Sequence, residues 1–163
     1  MKVFLLRHAI AHERDRKRWP DDSLRPLTAM GKRRFRRSAR ALARLLPDRA
    51  PILTSPFVRT RETAGILVAV HGGRYIACPE LAPGEEPRAL FTLLRSRPGD
   101  AAVLVGHEPD LGRFLVAALG IRGARIAFKK GGAACLEFGR RVAPGTARLH
   151  WFATPKLLRA VAK

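Results

Sequence analysis

An apolar run that stops at a charged pair constrains this chain more than any other feature. Val3-Phe4-Leu5-Leu6 is continuous, and it ends in Arg7-His8. A run of this length bounded by polar residues reads as a strand buried on both faces. Such a strand belongs in a sheet covered by helices. In open α/β sheets, ligands sit beyond the carboxyl ends of the strands. Arg7 and His8 stand at such an end. An arginine offers a rigid fork of donors to a phosphate, and an imidazole serves as nucleophile or base. Ala101-Ala102-Val103-Leu104-Val105 is a second strand of the same kind, followed by Gly106-His107-Glu108-Pro109. A second imidazole thus takes the position of the first, ahead of a helix expected from Pro109 to about Leu119 and closed by Gly120. Gly106 is expected to let the backbone approach a ligand closely.

Between these strands the chain alternates in the same way. Pro51-Ile52-Leu53-Thr54 is a short strand. Ser55 and Pro56 then supply an N-cap and a first helical residue for a helix over Phe57–His71, stopped by Gly72-Gly73. Arg59 falls one turn inside that helix, where backbone N–H groups also favour an anion. Arg61, two residues on, points elsewhere. Glu62 is open between holding Arg59 and simple solvation. Residues 9–27 read as a loop over the mouth of the site, with turn chemistry at Trp19-Pro20-Asp21-Asp22. Local context leaves Arg25 open between a phosphate ligand and a solvated loop arginine. Thr28 is a good N-cap for a helix to about Leu46. Phe35, Ala39, Leu42 and Leu46 lie on its inner face, and Arg33, Arg36, Arg37, Arg40 and Arg44 on its outer face. That cationic face is either a solvated surface or a docking surface for an acidic partner.

Arg74–Ala77 is expected as a further strand, with a helix beginning near Pro87 and a turn at Arg97–Asp100. Ala133–Phe138 and Arg148–Ala153 are expected as an antiparallel edge, and Leu157–Ala162 as a short last helix. The fold class is therefore α/β: a three-layer sandwich with a mostly parallel central sheet flanked by helices, formed as a single domain over residues 1–163.

Charge narrows the partners. Thirty-two Lys and Arg against thirteen Asp and Glu leave a net charge of +19. That favours anions: phosphorylated proteins, nucleotides, polyphosphate or nucleic acid. A module that only binds polyanions leaves both strand-end histidines without a role, so nucleic acid is the lesser expectation. No stretch approaches the ~18 uninterrupted apolar residues of a membrane span, so no membrane partner is expected. The chain runs straight into its first strand, and no secretory leader is expected. Cys78 and Cys135 lack metal-ligand spacing and fit a reducing cytoplasm as small apolar residues.

Two imidazoles and two arginines on one rim suit phosphoryl transfer, with a nucleophile in line and cations around the equatorial oxygens. Guanidiniums would neutralise the phosphoryl group without a metal or other cofactor. The motifs that carry this chemistry are Leu6-Arg7-His8, Arg25-Pro26-Leu27-Thr28, Ser55-Pro56-Phe57-Val58-Arg59-Thr60-Arg61-Glu62-Thr63-Ala64 and Val105-Gly106-His107. In that order they resemble the histidine phosphatase superfamily, of phosphoglycerate mutase-like fold. The Arg-Pro-Leu-Thr and Gly-His-Glu-Pro-Asp-Leu segments are most similar to its SixA-type phosphohistidine phosphatases.

The resemblance implies His8 as the phosphorylated nucleophile. It implies Arg7, Arg59 and Arg25 as phosphate ligands and His107 as a hydrogen-bond donor to the phosphoryl group. The implied substrate is a phosphohistidine domain of a protein. A small phosphate ester, a nucleotide or polyphosphate is the alternative. Ala9 departs from the family's usual glycine. The chain is also too short for the inserted segment that supplies a general acid in larger members, which leaves Glu80 and Glu108 as candidates for that role.

Overall fold

A computed structural model describes residues 1–97 and 99–162; Pro98, in the expected Arg97–Asp100 turn, lies outside them. The strands are β1 (Lys2–Arg7), β2 (Ile52–Thr54), β3 (Tyr75–Ala77), β4 (Ala101–Gly106), β5 (Ala133–Phe138) and β6 (Ala147–Ala153). The helices are α1 (Ala29–Leu45), α2 (Val58–His71), α3 (Pro87–Arg95), α4 (Asp110–Leu119) and α5 (Pro155–Ala160). All six strands form one sheet in the order β3-β2-β4-β1-β5-β6. The first four run parallel, and β5 and β6 add the expected antiparallel edge.

The pleat of β1 explains why its apolar run is unbroken. Val3 and Leu5 point to one layer, where α3 and α4 supply Leu90, Phe91, Leu94, Phe114 and Leu115. Phe4 and Leu6 point to the other, where α1, α2 and α5 supply Phe35, Ala39, Leu42, Leu67 and Leu158. Both faces are dry, so alternation between apolar and polar residues has no place in this strand.

Register then places the strand ends. Leu6 pairs with Val105 and Thr54 with Val105, so β1, β2 and β4 finish level. The residues that follow are His8, Ser55 and His107. Residues 9–27 leave this rim, and Ala11 bridges Leu27 on their return.

Three helix starts differ from expectation. α4 begins at Asp110, with Pro109 as its N-cap. The helix after β2 begins at Val58 rather than Phe57, and Ser55 does not cap it. The Ser55 hydroxyl accepts the Phe57 N–H at 3.3 Å within the turn itself. The last helix begins at Pro155, ahead of Leu157, because the Thr154 side chain accepts the Leu157 N–H and Pro155 is pre-set for a first turn.

Gly31 lies in the first turn of α1 for a reason of space. A Cβ there would stand 2.1 Å from the carbonyl oxygen of Ile10, two residues after His8. In an open helix Gly→Ala gains ~1 kcal/mol. Here the clash is with backbone that also accepts the Thr28 N–H at 3.0 Å. Gly31→Ala is expected to lower unfolding stability by ~1–3 kcal/mol, read as a lower denaturant midpoint; a raised midpoint would contradict the packing described.

Candidate active site

The site is assembled from three strand ends and one helix turn. His8 leaves β1 with its N–H on the carbonyl of Gly106 at 3.1 Å. Gly131, at φ +80°, donates its N–H to the carbonyls of both Arg7 and His8. Thr63 of α2 accepts the Ala9 N–H at 3.0 Å and donates to the carbonyl of Arg59 at 2.7 Å. The backbone around the imidazole is thus held from both sides before any side chain acts.

The His8 ring is 5% exposed. Its Nδ1 lies 2.7 Å from the carbonyl oxygen of Ala9. A carbonyl only accepts, so Nδ1 carries the proton and Nε2 keeps its lone pair. Burial is the main force holding the His8 pKa down at about 3; the charges of Arg59, Arg7 and Lys130 add to it, against the Ala9 hydrogen bond. The ring of His107 lies 5.3 Å from that of His8, with its Nε2 2.9 Å from the Ser55 hydroxyl. Burial first, then the His8 and Arg59 neighbours, hold His107 at about 2. Phe57 packs edge-to-face with His107 and lies under the Arg59 guanidinium.

The arginines are oriented by backbone and one carboxylate. Arg7 donates through NH1 to the Phe128 carbonyl. Arg59 donates through NH1 to the Asp22 carbonyl at 2.7 Å and pairs through NH2 with the Asp22 carboxylate at 3.0 Å. Arg25 pairs through Nε with the other Asp22 oxygen at 2.8 Å and donates NH1 to the His12 carbonyl. Burial opposes ionisation of Asp22, yet the Arg25 hydrogen bond and the Arg59 charge outweigh it and hold its carboxyl at about 2. Burial lowers Arg59 to about 10 against the pull of Asp22. The Nε–H groups of Arg7 and Arg59 are buried with no partner among the described residues. The charges of both guanidiniums act on His8, so a tetrahedral oxyanion beside that ring would have cationic neighbours.

The structure therefore brings Arg7, His8, Arg25, Arg59 and His107 together. Arg25, left open by its local sequence, is 8% exposed and not a solvated loop arginine. Asp22, Phe128 and Lys130 were not singled out for the site. For Asp22 the available signal was its place three residues before Arg25. A Cβ at Gly106 would press on Leu111, so packing alone accounts for a glycine there. Glu62 holds neither Arg59 nor water alone. It accepts the Leu27 N–H at 2.7 Å and pairs with Lys32.

The two carboxylates considered as acids face different spaces. Glu80 lines a small cavity together with His107, Gly106 and Asp110. Glu108 accepts the Phe128 N–H at 3.1 Å and lines a separate groove beside α4. Burial pushes its carboxyl up, while the Phe128 N–H and the Arg7 charge pull it down. Phe128 thus links Glu108, on its N–H, to Arg7, on its carbonyl. Glu108→Gln keeps an acceptor for Phe128 and is expected to keep kcat within about twofold, whereas Glu108→Ala is expected to raise KM about tenfold by loosening Arg7. An equal loss of kcat in both variants, steepening with leaving-group pKa, would assign Glu108 to proton transfer instead.

The buried neutral imidazoles also set a pH dependence. Both pKa values are depressed below the ordinary 6.5. The unfolded chain takes up protons below that value that the folded site refuses until about pH 3. Stability therefore falls as pH drops through this window, by ~1.4 kcal/mol per pH unit for each imidazole. His8→Gln is expected to remove one such contribution from the slope of unfolding free energy between pH 6 and 4; an unchanged slope would mean that His8 titrates freely in the fold.

Among the described residues no three His, Cys, Asp or Glu side chains are grouped to hold a metal, and no helix is long and apolar enough to cross a membrane.

Comparison with known proteins places this geometry. The model of the histidine phosphatase superfamily, branch 1, matches residues 3–83. An uncharacterized protein of Picosynechococcus sp. (strain ATCC 27264 / PCC 7002 / PR-6) is 37% identical over 147 residues, covering 85% of this chain and 86% of its own. Among solved structures, the protein histidine phosphatase SixA complexed with tungstate superimposes with a TM-score of 0.80 at 22% identity, over 96% of this chain and 98% of that one. The putative phosphohistidine phosphatase SixA from Agrobacterium tumefaciens gives 0.73 at 26% identity, over 94% and 97%.

Proposed function

The chain belongs to the histidine phosphatase superfamily, and from that premise we propose that it is a metal-independent phosphatase of the SixA type that removes phosphate from phosphohistidine of a protein. The observation that carries this reading is a His8 ring fixed as its Nδ1–H tautomer beside two guanidiniums, Arg59 and Arg7, whose charges act on it. The imidazole keeps its lone pair at neutral pH, and the guanidiniums supply positive charge for an oxyanion.

The chemistry follows from those groups. The Nε2 lone pair of His8 attacks phosphorus in line, and the substrate's N–P bond breaks. The leaving imidazole takes that electron pair and departs neutral, because its other ring nitrogen carries a proton. Arg7, Arg59 and Arg25 offset charge on the equatorial oxygens, and His107 donates a hydrogen bond to them. Water then attacks phosphorus and breaks the Nε2–P bond. Inorganic phosphate leaves with both of the water's protons, the Nε2–P electron pair returns to Nε2, and His8 regains its starting form. A neutral leaving group needs no dedicated acid, which fits a site where Glu108 is engaged by Phe128. A solved structure of the same fold is a complex with tungstate, an oxyanion of the shape this cradle would take.

The test compares donors in the presence of a chelator. Phosphate release is measured from a phosphohistidine-bearing protein domain and from an alkyl phosphomonoester. The reading expects efficient turnover of the domain, unaffected by chelation and inhibited by vanadate. Turnover of the ester alone, or loss of activity on chelation, would contradict it.

A further inference from the structure

The helical layer over α1, α2 and α5 is far more cationic than the other. Within these helices Glu62 is the only acid, and it is engaged by Lys32 and the Leu27 N–H. Arg33, Arg34, Arg36, Arg37 and Arg40 are exposed along α1, and Arg61 on α2. This layer also contains a groove of about 360 Å³ between α1 and α2. One wall carries Arg36 and Arg40, and the floor carries Ile66, Ala69 and Val70, the last 41% exposed. Neither arginine has an ion-pair partner among the described residues. The groove starts at Glu62, three residues along α2 from Arg59, and leads away from the site for roughly 12 Å, two turns of helix.

We propose that this groove docks an acidic amphipathic helix of the phosphodonor protein, with its carboxylates on Arg36 and Arg40 and its apolar face on Ile66, Ala69 and Val70. Two observations select this occupant. Unpaired guanidiniums one helical turn apart call for carboxylates at the same spacing. The aliphatic floor calls for apolar side chains, which a nucleic-acid backbone does not offer. A protein whose phosphohistidine enters beside Arg59 is also well placed to cover a groove that begins one turn away. The proposal rests on the phosphohistidine reading above and adds the surface by which a protein donor is held.

The test is a KM-against-kcat comparison on two donors, a phosphohistidine-bearing domain with an acidic surface helix and free phosphohistidine. In Arg36→Glu/Arg40→Glu, KM for the domain is expected to rise about tenfold or more with kcat unchanged, while both constants for free phosphohistidine stay at wild-type values. Val70→Asp is expected to do the same through the floor. An unchanged KM for the domain in both variants would overturn the proposal, as would an equal loss on free phosphohistidine. A wild-type protein inactive on both donors would instead overturn the functional reading.

A binding arm uses a Glu-rich amphipathic helical peptide followed by NMR. Shifts centred on Arg36, Arg40, Ile66, Ala69 and Val70 in the wild-type protein, and abolished in Arg36→Glu/Arg40→Glu, are expected. Their absence, or stronger displacement by single-stranded RNA than by the peptide at equal charge, would overturn the acidic-helix assignment.

Discussion

His8→Ala is expected to lower kcat on a phosphohistidine donor by about 10³-fold or more, the loss typical when a covalent nucleophile is removed. Nothing else in the cradle can take its place. His107 is the other imidazole, but its Nε2 is turned to the Ser55 hydroxyl. The same variant leaves Arg7, Arg25 and Arg59 on their Phe128, Asp22 and His12 partners. Oxyanion binding is therefore expected to persist, so vanadate or tungstate should still stabilise the variant against heat. This combination distinguishes loss of a nucleophile from loss of the fold. Wild-type turnover in His8→Ala would sink the mechanism, and loss of both turnover and oxyanion binding would point to a collapsed site.

Arg59→Lys is expected to lower kcat/KM by about 10²–10³-fold, in the range of a lost oxyanion donor. The charge is conserved, yet the effect is large because Arg59 makes three kinds of contact at once. NH1 holds the Asp22 carbonyl, NH2 holds the Asp22 carboxylate, and the guanidinium lies over the Phe57 ring. A single ammonium cannot reproduce that fork. Asp22 would then lose one of the three cations, Arg14, Arg25 and Arg59, that keep it ionised, and Arg25, anchored on the same carboxylate, would loosen with it. The measurement is kcat/KM together with the dissociation constant for vanadate, which should weaken in parallel. A lysine variant within about threefold of wild type on both would contradict this account of the cradle.

The fold was legible because its strongest signals are local. Val3–Leu6 and Ala101–Val105 declare buried strands by composition, and each has its histidine one residue beyond, after Arg7 and Gly106. Arg59 was found by helical period alone. What stayed hidden depends on residues far apart in the chain. Arg25 could not be settled because its role is set by Asp22, and the Trp19–Asp22 segment reads as turn chemistry rather than as a source of charge. Ser55 reads as a helix cap, whereas its hydroxyl serves the Phe57 N–H and faces His107. Phe128 is one apolar residue in a basic connection, and only the fold brings its carbonyl to Arg7 and its N–H to Glu108. Gly31 and Gly106 are fixed by Ile10 and Leu111, contacts with no trace in the local pattern.

The central claim is a covalent phosphohistidine on His8, and rapid-quench mass spectrometry tests it most directly. Enzyme is mixed with a phosphohistidine-bearing domain and quenched in alkali or in acid within a single turnover. The account predicts one phosphate on the peptide containing His8 after alkaline quench, absent after acid quench and absent in His8→Ala. Full turnover with no alkali-stable, acid-labile phosphate on that peptide, or with the phosphate on His107, would contradict it.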